Sequence, residues 1–158
     1  MIAPIVNCLW FYGNAEEAAT YYTQLFPDGK IGSIPRYGEG APFPAGTAIT
    51  VPFSINGQSW LALNGNKDFT FNESVSFVIH CDTQEEIDHF WDNMIADGGK
   101  ASMCGWLKDK FGLSWQVVPK MLGERMGSGE PSRSGNMIKA MLKMQKLLIT
   151  ELDAAYNL

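Results

Sequence analysis

Residues 76–98 read SFVIHCDTQEEIDHFWDNMIADG: an apolar run, a polar break, then apolar residues at helical spacing. Ile87, Phe90, Trp91, Met94 and Ile95 fall on one face of a 3.6-residue repeat. Thr83 and Glu86 have the spacing of a capping box ahead of them. The same pattern occurs earlier, in NCLWFYGNAEEAATYYTQLFPDG at 7–29. There Asn14 is the expected N-cap, and Ala15, Ala18, Ala19, Tyr22, Leu25 and Phe26 form the apolar stripe. Laid over one another at an offset of 69, the copies match Glu16-Glu17 with Glu85-Glu86, Tyr22 with Trp91, and Asp28-Gly29 with Asp97-Gly98. The chain is a duplication.

The far ends of the copies also correspond, GQSWLAL at 57–63 with GLSWQVV at 112–118, now at an offset of 55. The smaller offset places extra residues inside the first half, and the Pro- and Gly-rich RYGEGAPFPAG at 36–46 reads as that loop. Each half is expected to run strand, helix, then three strands. The first half gives 4–11, 14–26, 30–37, 46–55 and 58–64; the second gives 74–81, 83–97, 100–104, 105–109 and 113–118. Tandem βαβββ units make an α+β domain with helices on one sheet face and a curved, cupped mixed sheet left open on the other. One domain is expected over 1–158, with halves at 1–66 and 67–119 and a helical extension at 120–158. In that extension Met121, Met126, Met137, Met141 and Met144 accompany Leu142, Leu147, Leu148, Ile149 and Leu152. They predict two or three short helices used for packing, with Ser132 and Ser134 as caps.

Composition narrows the function. The chain has 158 residues, 46% of them hydrophobic and 18% charged, so a packed core is expected. The net charge of −5 comes without a basic stripe, which argues against a nucleic-acid partner. The apolar runs are too short to cross a bilayer, and MIAPIVNCLWFYGN lacks the basic flank of a signal peptide. Cys8, Cys81 and Cys104 have no CxxC spacing and suit three reduced thiols in the cytoplasm.

FYGNAEEAATYYTQLFPD, VPFSINGQSWLALNG, SVSFVIHCDTQEEIDHFWD, CGWLKDKFGLSWQVVP and the tail AMLKMQKLLITELDAAY carry a family resemblance. The chain resembles the PhnB-like family of the vicinal oxygen chelate superfamily, the glyoxalase and bleomycin-resistance fold. Members are often labelled 3-demethylubiquinone-9 3-methyltransferase. The resemblance implies paired βαβββ units around a cupped site, and a homodimer. DKFGLSWQ at 109–116 occupies the place of the superfamily's D-P-x-G-x-x-x-E turn and strand. Asp109 and Gly112 match that pattern, Lys110 replaces its proline, and Gln116 stands where the metal-binding glutamate belongs.

The four metal positions implied by the resemblance fall, through the repeat, on Asn7, Leu61, Ser76 and Gln116. None is an imidazole or a carboxylate, so no metal and no cofactor is expected. Strand alternation sends Asn7, Leu9 and Phe11 into the cup, with Ser76, Val78 and His80 from the second half. Leu61, Trp106 and Gln116 complete the expected ligand-binding lining. Gln116 has two readings, contact with a ligand or a hydrogen bond to Asn7 or Ser76. Ser114, Gln116 and Val118 share one strand face; Trp115 and Val117 share the other, and Trp60 and Trp115 read as anchors beneath the helices. Cys104 is a small buried strand residue or, beside Lys108, an activated thiol; it and His80 are the catalytic candidates. The expected function is metal-free binding of a small apolar or aromatic molecule. The alternatives are an enzyme using the same cup (a lyase, isomerase or transferase) and a scaffold whose cup is filled by side chains. Against methyl transfer, no glycine-rich loop closes the first β–α unit.

Overall fold

The computed structural model describes residues 1–158 and divides into two compact units, Met1–Thr70 and Phe71–Leu158. In the first unit β1 (Asn7–Phe11) leads into α1 (Ala15–Leu25), followed by β2 (Lys30–Ile31), β3 (Thr50–Ile55) and β4 (Gln58–Asn64). These strands form one sheet in the order β1-β4-β3-β2, with β1 parallel to β4 and the remaining pairs antiparallel. The second unit repeats the order with β5 (Ser76–Cys81), α2 (Gln84–Ala96), β6 (Lys100–Ala101), β7 (Trp106–Lys108) and β8 (Ser114–Pro119). Its sheet runs β5-β8-β7-β6 with the same directions. Two βαβββ units are therefore present, as the duplication predicts.

In the first unit α1 turns Ala15, Ala18, Ala19, Tyr22 and Leu25 inward, and the three alanines let the helix approach the sheet closely. The buried strand residues are Leu9, Phe11, Val51, Phe53, Ile55, Trp60 and Ala62. Phe53 stacks on Tyr22 and on Trp60, each at a centroid distance of 6.0 Å. Each such side chain contributes about 1.5–3 kcal/mol on burial. The helix start departs from expectation. Asn14 occupies the N-cap position but makes no side-chain cap. Asn64 of β4 replaces it: its Oδ1 accepts from Ala15 N–H at 3.0 Å, and its Nδ2 donates to Ala48 O at 2.9 Å. A buried amide from the far strand thus fixes where α1 begins.

The second unit packs Ile87, Trp91 and Met94 of α2 with Ile79, Cys81, Leu107, Trp115 and Val117. Thr83 Oγ1 accepts from Glu86 N–H, while the Glu86 carboxylate takes the Asp82 N–H, one residue ahead of the cap. The turn at 109–112 forms as expected, with Gly112 N–H donating to Asp109 O and Gly112 at φ +87°. Asp109 is buried and accepts three bonds: from Phe111 N–H (2.9 Å), Leu113 N–H (3.0 Å) and Trp115 Nε1–H (2.9 Å). Those bonds make it the centre of the hairpin rather than an acid–base group.

The strand expected at 100–104 stops after Ala101, and Cys104 and Gly105 form a left-handed turn with φ of +60° and +82°. Cys104 N–H and Gly105 N–H donate to Met144 O (2.7 Å) and Gln145 O (2.8 Å). A Cβ at residue 105 would stand 2.8 Å from Val117 O, so glycine is needed for this approach.

The tail forms three helices, α3 (Lys120–Met126), α4 (Pro131–Met141) and α5 (Ile149–Tyr156). Val118, Leu122, Met137, Met144, Leu147, Leu152 and Tyr156 make their core, so Met137 and Met144 pack while Met126 stays exposed. The expected serine caps are absent. α4 starts at Pro131, and Ser134 Oγ donates instead to Arg125 O at 2.8 Å. The extra loop at 36–46 is ordered by Tyr37 stacked on Phe43, centroids 5.5 Å apart.

Two outcomes follow for the folded chain. Asp109→Asn, which turns an amide N–H2 toward donors, is expected to lower unfolding free energy by about 2–3 kcal/mol in denaturant titrations. Burial, and then the nearby Glu86 and Asp82 carboxylates, push the Cys81 thiol up to about 12. It should therefore resist a thiol reagent at neutral pH until the chain unfolds, whereas labelling of Cys81 in the native protein would contradict this packing.

Candidate functional site

Each sheet has one face under a helix and one face without it. On the helix-free face of the second sheet, β5 contributes Ser76, Val78 and His80, β8 contributes Ser114, Gln116 and Val118, and β7 contributes Trp106 and Lys108. The ladder fixes this placement: Gln116 lies between Val78 and Trp106, Ser114 between Ser76 and Lys108, and Val118 opposite His80. Gln116 Nε2 donates to Ser76 Oγ at 3.0 Å, a bond within one half. Val78 is 45% exposed, and Trp106 and Gln116 are half-buried. Val118 instead enters the core of the tail helices, which closes that end of the face.

The first half differs from expectation. Leu9 and Phe11 are each only 4% exposed and share the helix-facing side of the sheet with Trp60 and Ala62. Asn7 pairs with Trp60 on that same side. Leu61 has opposite parity and lines a hollow of about 450 Å³ with Val6, Lys30, Pro52, Ser54 and Ser59. The physical reason is one residue. Three residues, Tyr12-Gly13-Asn14, join β1 to α1, whereas two, Asp82-Thr83, join β5 to α2. Gly13 takes up the extra step at φ +83°. Aligning the helices at an offset of 69 therefore slips the strands by one, and a one-residue slip exchanges every side chain between faces.

Correcting the slip also changes the metal positions. Leu61 pairs with Cys8 and Gln116 with Val78, so Val6, not Asn7, corresponds to Ser76. The four positions implied by the resemblance then hold Val6, Leu61, Ser76 and Gln116. These residues do not fit a catalytic divalent ion, which takes imidazole, carboxylate or thiolate donors. Nowhere do three His, Cys, Asp or Glu side chains come together to hold one.

The catalytic candidates are separated. Cys104 lies in the left-handed turn, so it has no strand parity with Lys108. Lys108 Nζ instead pairs with Glu73 Oε1 at 2.6 Å, and its hydrogen bond lowers the Glu73 carboxyl below the usual range. His80 is exposed beside the tail core. The Cys8 thiol reaches solvent, yet partial desolvation still raises it.

A second hollow, about 190 Å³, lies on the second sheet beside Trp106 and includes Glu73, Lys100, Lys108 and Ser114. Strand parity places Ser114 with Gln116 and Lys108 with Trp106; Ser114 carries no signal of its own, and Lys108 is expected only as a neighbour of Cys104. Glu73 precedes β5, and no periodicity points to it. No helix is long and apolar enough to cross a membrane.

Comparison with known proteins agrees with this architecture. The family model described as 3-demethylubiquinone-9 3-methyltransferase matches residues 3–118. Among solved structures, the PhnB protein from Bacillus cereus is 38% identical, with a TM-score of 0.69 over 74% of this chain and 99% of its own. Protein PA1353 from Pseudomonas aeruginosa is 22% identical at a TM-score of 0.60, covering 75% and 98% of the two chains. The fosfomycin resistance protein FosX from Listeria monocytogenes is 14% identical at 0.53, covering 79% and 99%, a likeness of fold alone. No curated protein matches the chain. With two βαβββ units in the structure and the family match running from the first strand into β8, the chain belongs to the 3-demethylubiquinone-9 3-methyltransferase (PhnB-like) family, of the glyoxalase and bleomycin-resistance fold.

Proposed function

We propose that the protein binds a small, largely apolar or aromatic molecule without a metal, on the helix-free face of the second sheet. The observation that carries this reading is the Gln116–Ser76 hydrogen bond. It sets one adaptable amide–hydroxyl pair beside exposed Val78 and half-buried Trp106. A few fixed polar groups within an apolar lining are what a small-molecule site needs to orient a ligand. His80 belongs to the rim in this reading, and Cys104 is left outside it.

Binding requires no nucleophile, and none is assembled on this face. The methyl transfer named in the family description would need a place for an adenosyl donor. The first β–α turn has a single glycine, Gly13, and the second, Asp82-Thr83, has none. Neither is the glycine-rich turn that brings backbone N–H groups against such a cofactor. The reading also has the protein act as a homodimer in the cytoplasm. Its support is the exposed Val75 just ahead of the site strand and three cysteines without disulfides.

A thermal-shift screen with small aromatic compounds tests the binding claim. A ligand at a hundred times its dissociation constant should stabilise the chain by about 2.7 kcal/mol. Gln116→Ala is expected to keep the fold and lose most of that shift; an undiminished response in Ser76→Leu would place the site elsewhere. Near-stoichiometric Ni, Zn, Mn or Fe in purified protein would contradict the metal-free reading. Light scattering on the eluted protein should return twice the chain mass of 17.5 kDa, and a monomer would refute the dimer.

A further inference from the structure

The hollow beside Trp106 differs chemically from the rest of its face. Glu73, Lys100, Ser102, Lys108 and Ser114 line it with Trp106. Ser114 is 1% exposed, and its Oγ has no hydrogen-bond partner. A buried hydroxyl in that state costs free energy unless something accepts from it, which makes it the group to explain. It stands next to charge, because Lys108 is its ladder partner on β7.

We propose that this hollow receives the carboxylate of a small aromatic or alicyclic acid, with Ser114 Oγ, Lys100 and Lys108 as its donors. The inference rests on the binding role proposed above and names the ligand class for that face. Two lysines and one glutamate line the hollow, an excess of one positive charge that suits a monoanion. The Glu73–Lys108 pair is largely solvated, with side-chain exposures of 65% and 35%. Exposed pairs of this kind are weak, so an incoming carboxylate takes the place of Glu73 at little expense. Glu73 is thus the counter-ion of Lys108 that the ligand's carboxylate replaces. Some 190 Å³ suits a carboxylate and a short stem rather than a whole ligand. The ring of such an acid would extend past Trp106 toward Gln116 and Val78, the next rungs of the ladder.

The experiment is calorimetric titration of the full chain with benzoate, cinnamate and cyclohexanecarboxylate, each against its neutral amide, and with phenylphosphonate. The acids should bind at least about tenfold more tightly than the amides, the advantage of a charge-assisted bond. Ser114→Ala should weaken the acids about tenfold, weaken the amides less and not lower the melting temperature, since the unpartnered hydroxyl is removed. Glu73→Gln should do the opposite and tighten the acids. Lys100→Gln, at an exposed position, provides a second weakening variant whose folding is not at issue. If the amides bind as well as the acids, or Ser114→Ala and Lys100→Gln both leave the acids unaffected, the acid-binding hollow is refuted while the binding role stands. Preference for phenylphosphonate over benzoate would refute the carboxylate. If neither acids nor amides bind, the acid-binding hollow is refuted, and the binding role stands or falls with the thermal-shift screen.

Discussion

A β-strand alternates its side chains between two faces, and in each unit of this protein a single helix covers only one of them. Most of the structure follows from that constraint. The face beneath α1 takes Leu9, Phe11, Phe53, Trp60 and Ala62; the face beneath α2 takes Ile79, Cys81, Leu107, Trp115 and Val117. The small residues of α1 and the stacked Tyr22, Phe53 and Trp60 fill the first space. In the second, the Asp109 carboxylate ties the turn to Trp115 and holds the last hairpin closed. What remains is a sheet surface that no helix of the repeat covers.

Much of this was legible in the sequence because it is local. The period of apolar residues gave both helices, the Asp109–Gly112 turn was visible in its residue types, and the offsets revealed the duplication. The parity of β1 was not legible. It depends on whether three or two residues join strand to helix, and helix alignment cannot register that when the turn absorbs the difference at Gly13. Leu9 and Phe11 were therefore expected in the cup and are found in the core. Asn14 failed as a cap for a related reason, since the group that replaces it, Asn64, is 49 residues from the N–H it accepts. Cys104 was expected in a strand, but its backbone is held in a turn by carbonyls of the tail, a contact no spacing predicts.

The second-half positions, by contrast, fell on the face expected of them, because the β5–α2 connection carries no extra residue. Ser76, Val78, His80, Trp106 and Gln116 all share the helix-free side. The chemistry of that side comes from what it lacks as much as from what it holds. Where a dication would need carboxylates or imidazoles, it offers an amide and a hydroxyl already bonded to each other. An amide and a hydroxyl each donate and accept, so the pair presents both hydrogen-bonding senses on this face. Its charged residues are displaced to one side, around Ser114, and so extend the surface without turning it into a metal centre.

The most direct measurement is an NMR titration of protein carrying nitrogen-labelled tryptophan with an aromatic carboxylate. Trp106 lies on the helix-free face, while Trp115 lies on the opposite face with its indole N–H fixed to Asp109. The Trp106 indole signal should move in a saturable way while that of Trp115 stays in place. Movement of Trp60 or Trp115 with Trp106 unperturbed would contradict the assignment of the ligand to this face.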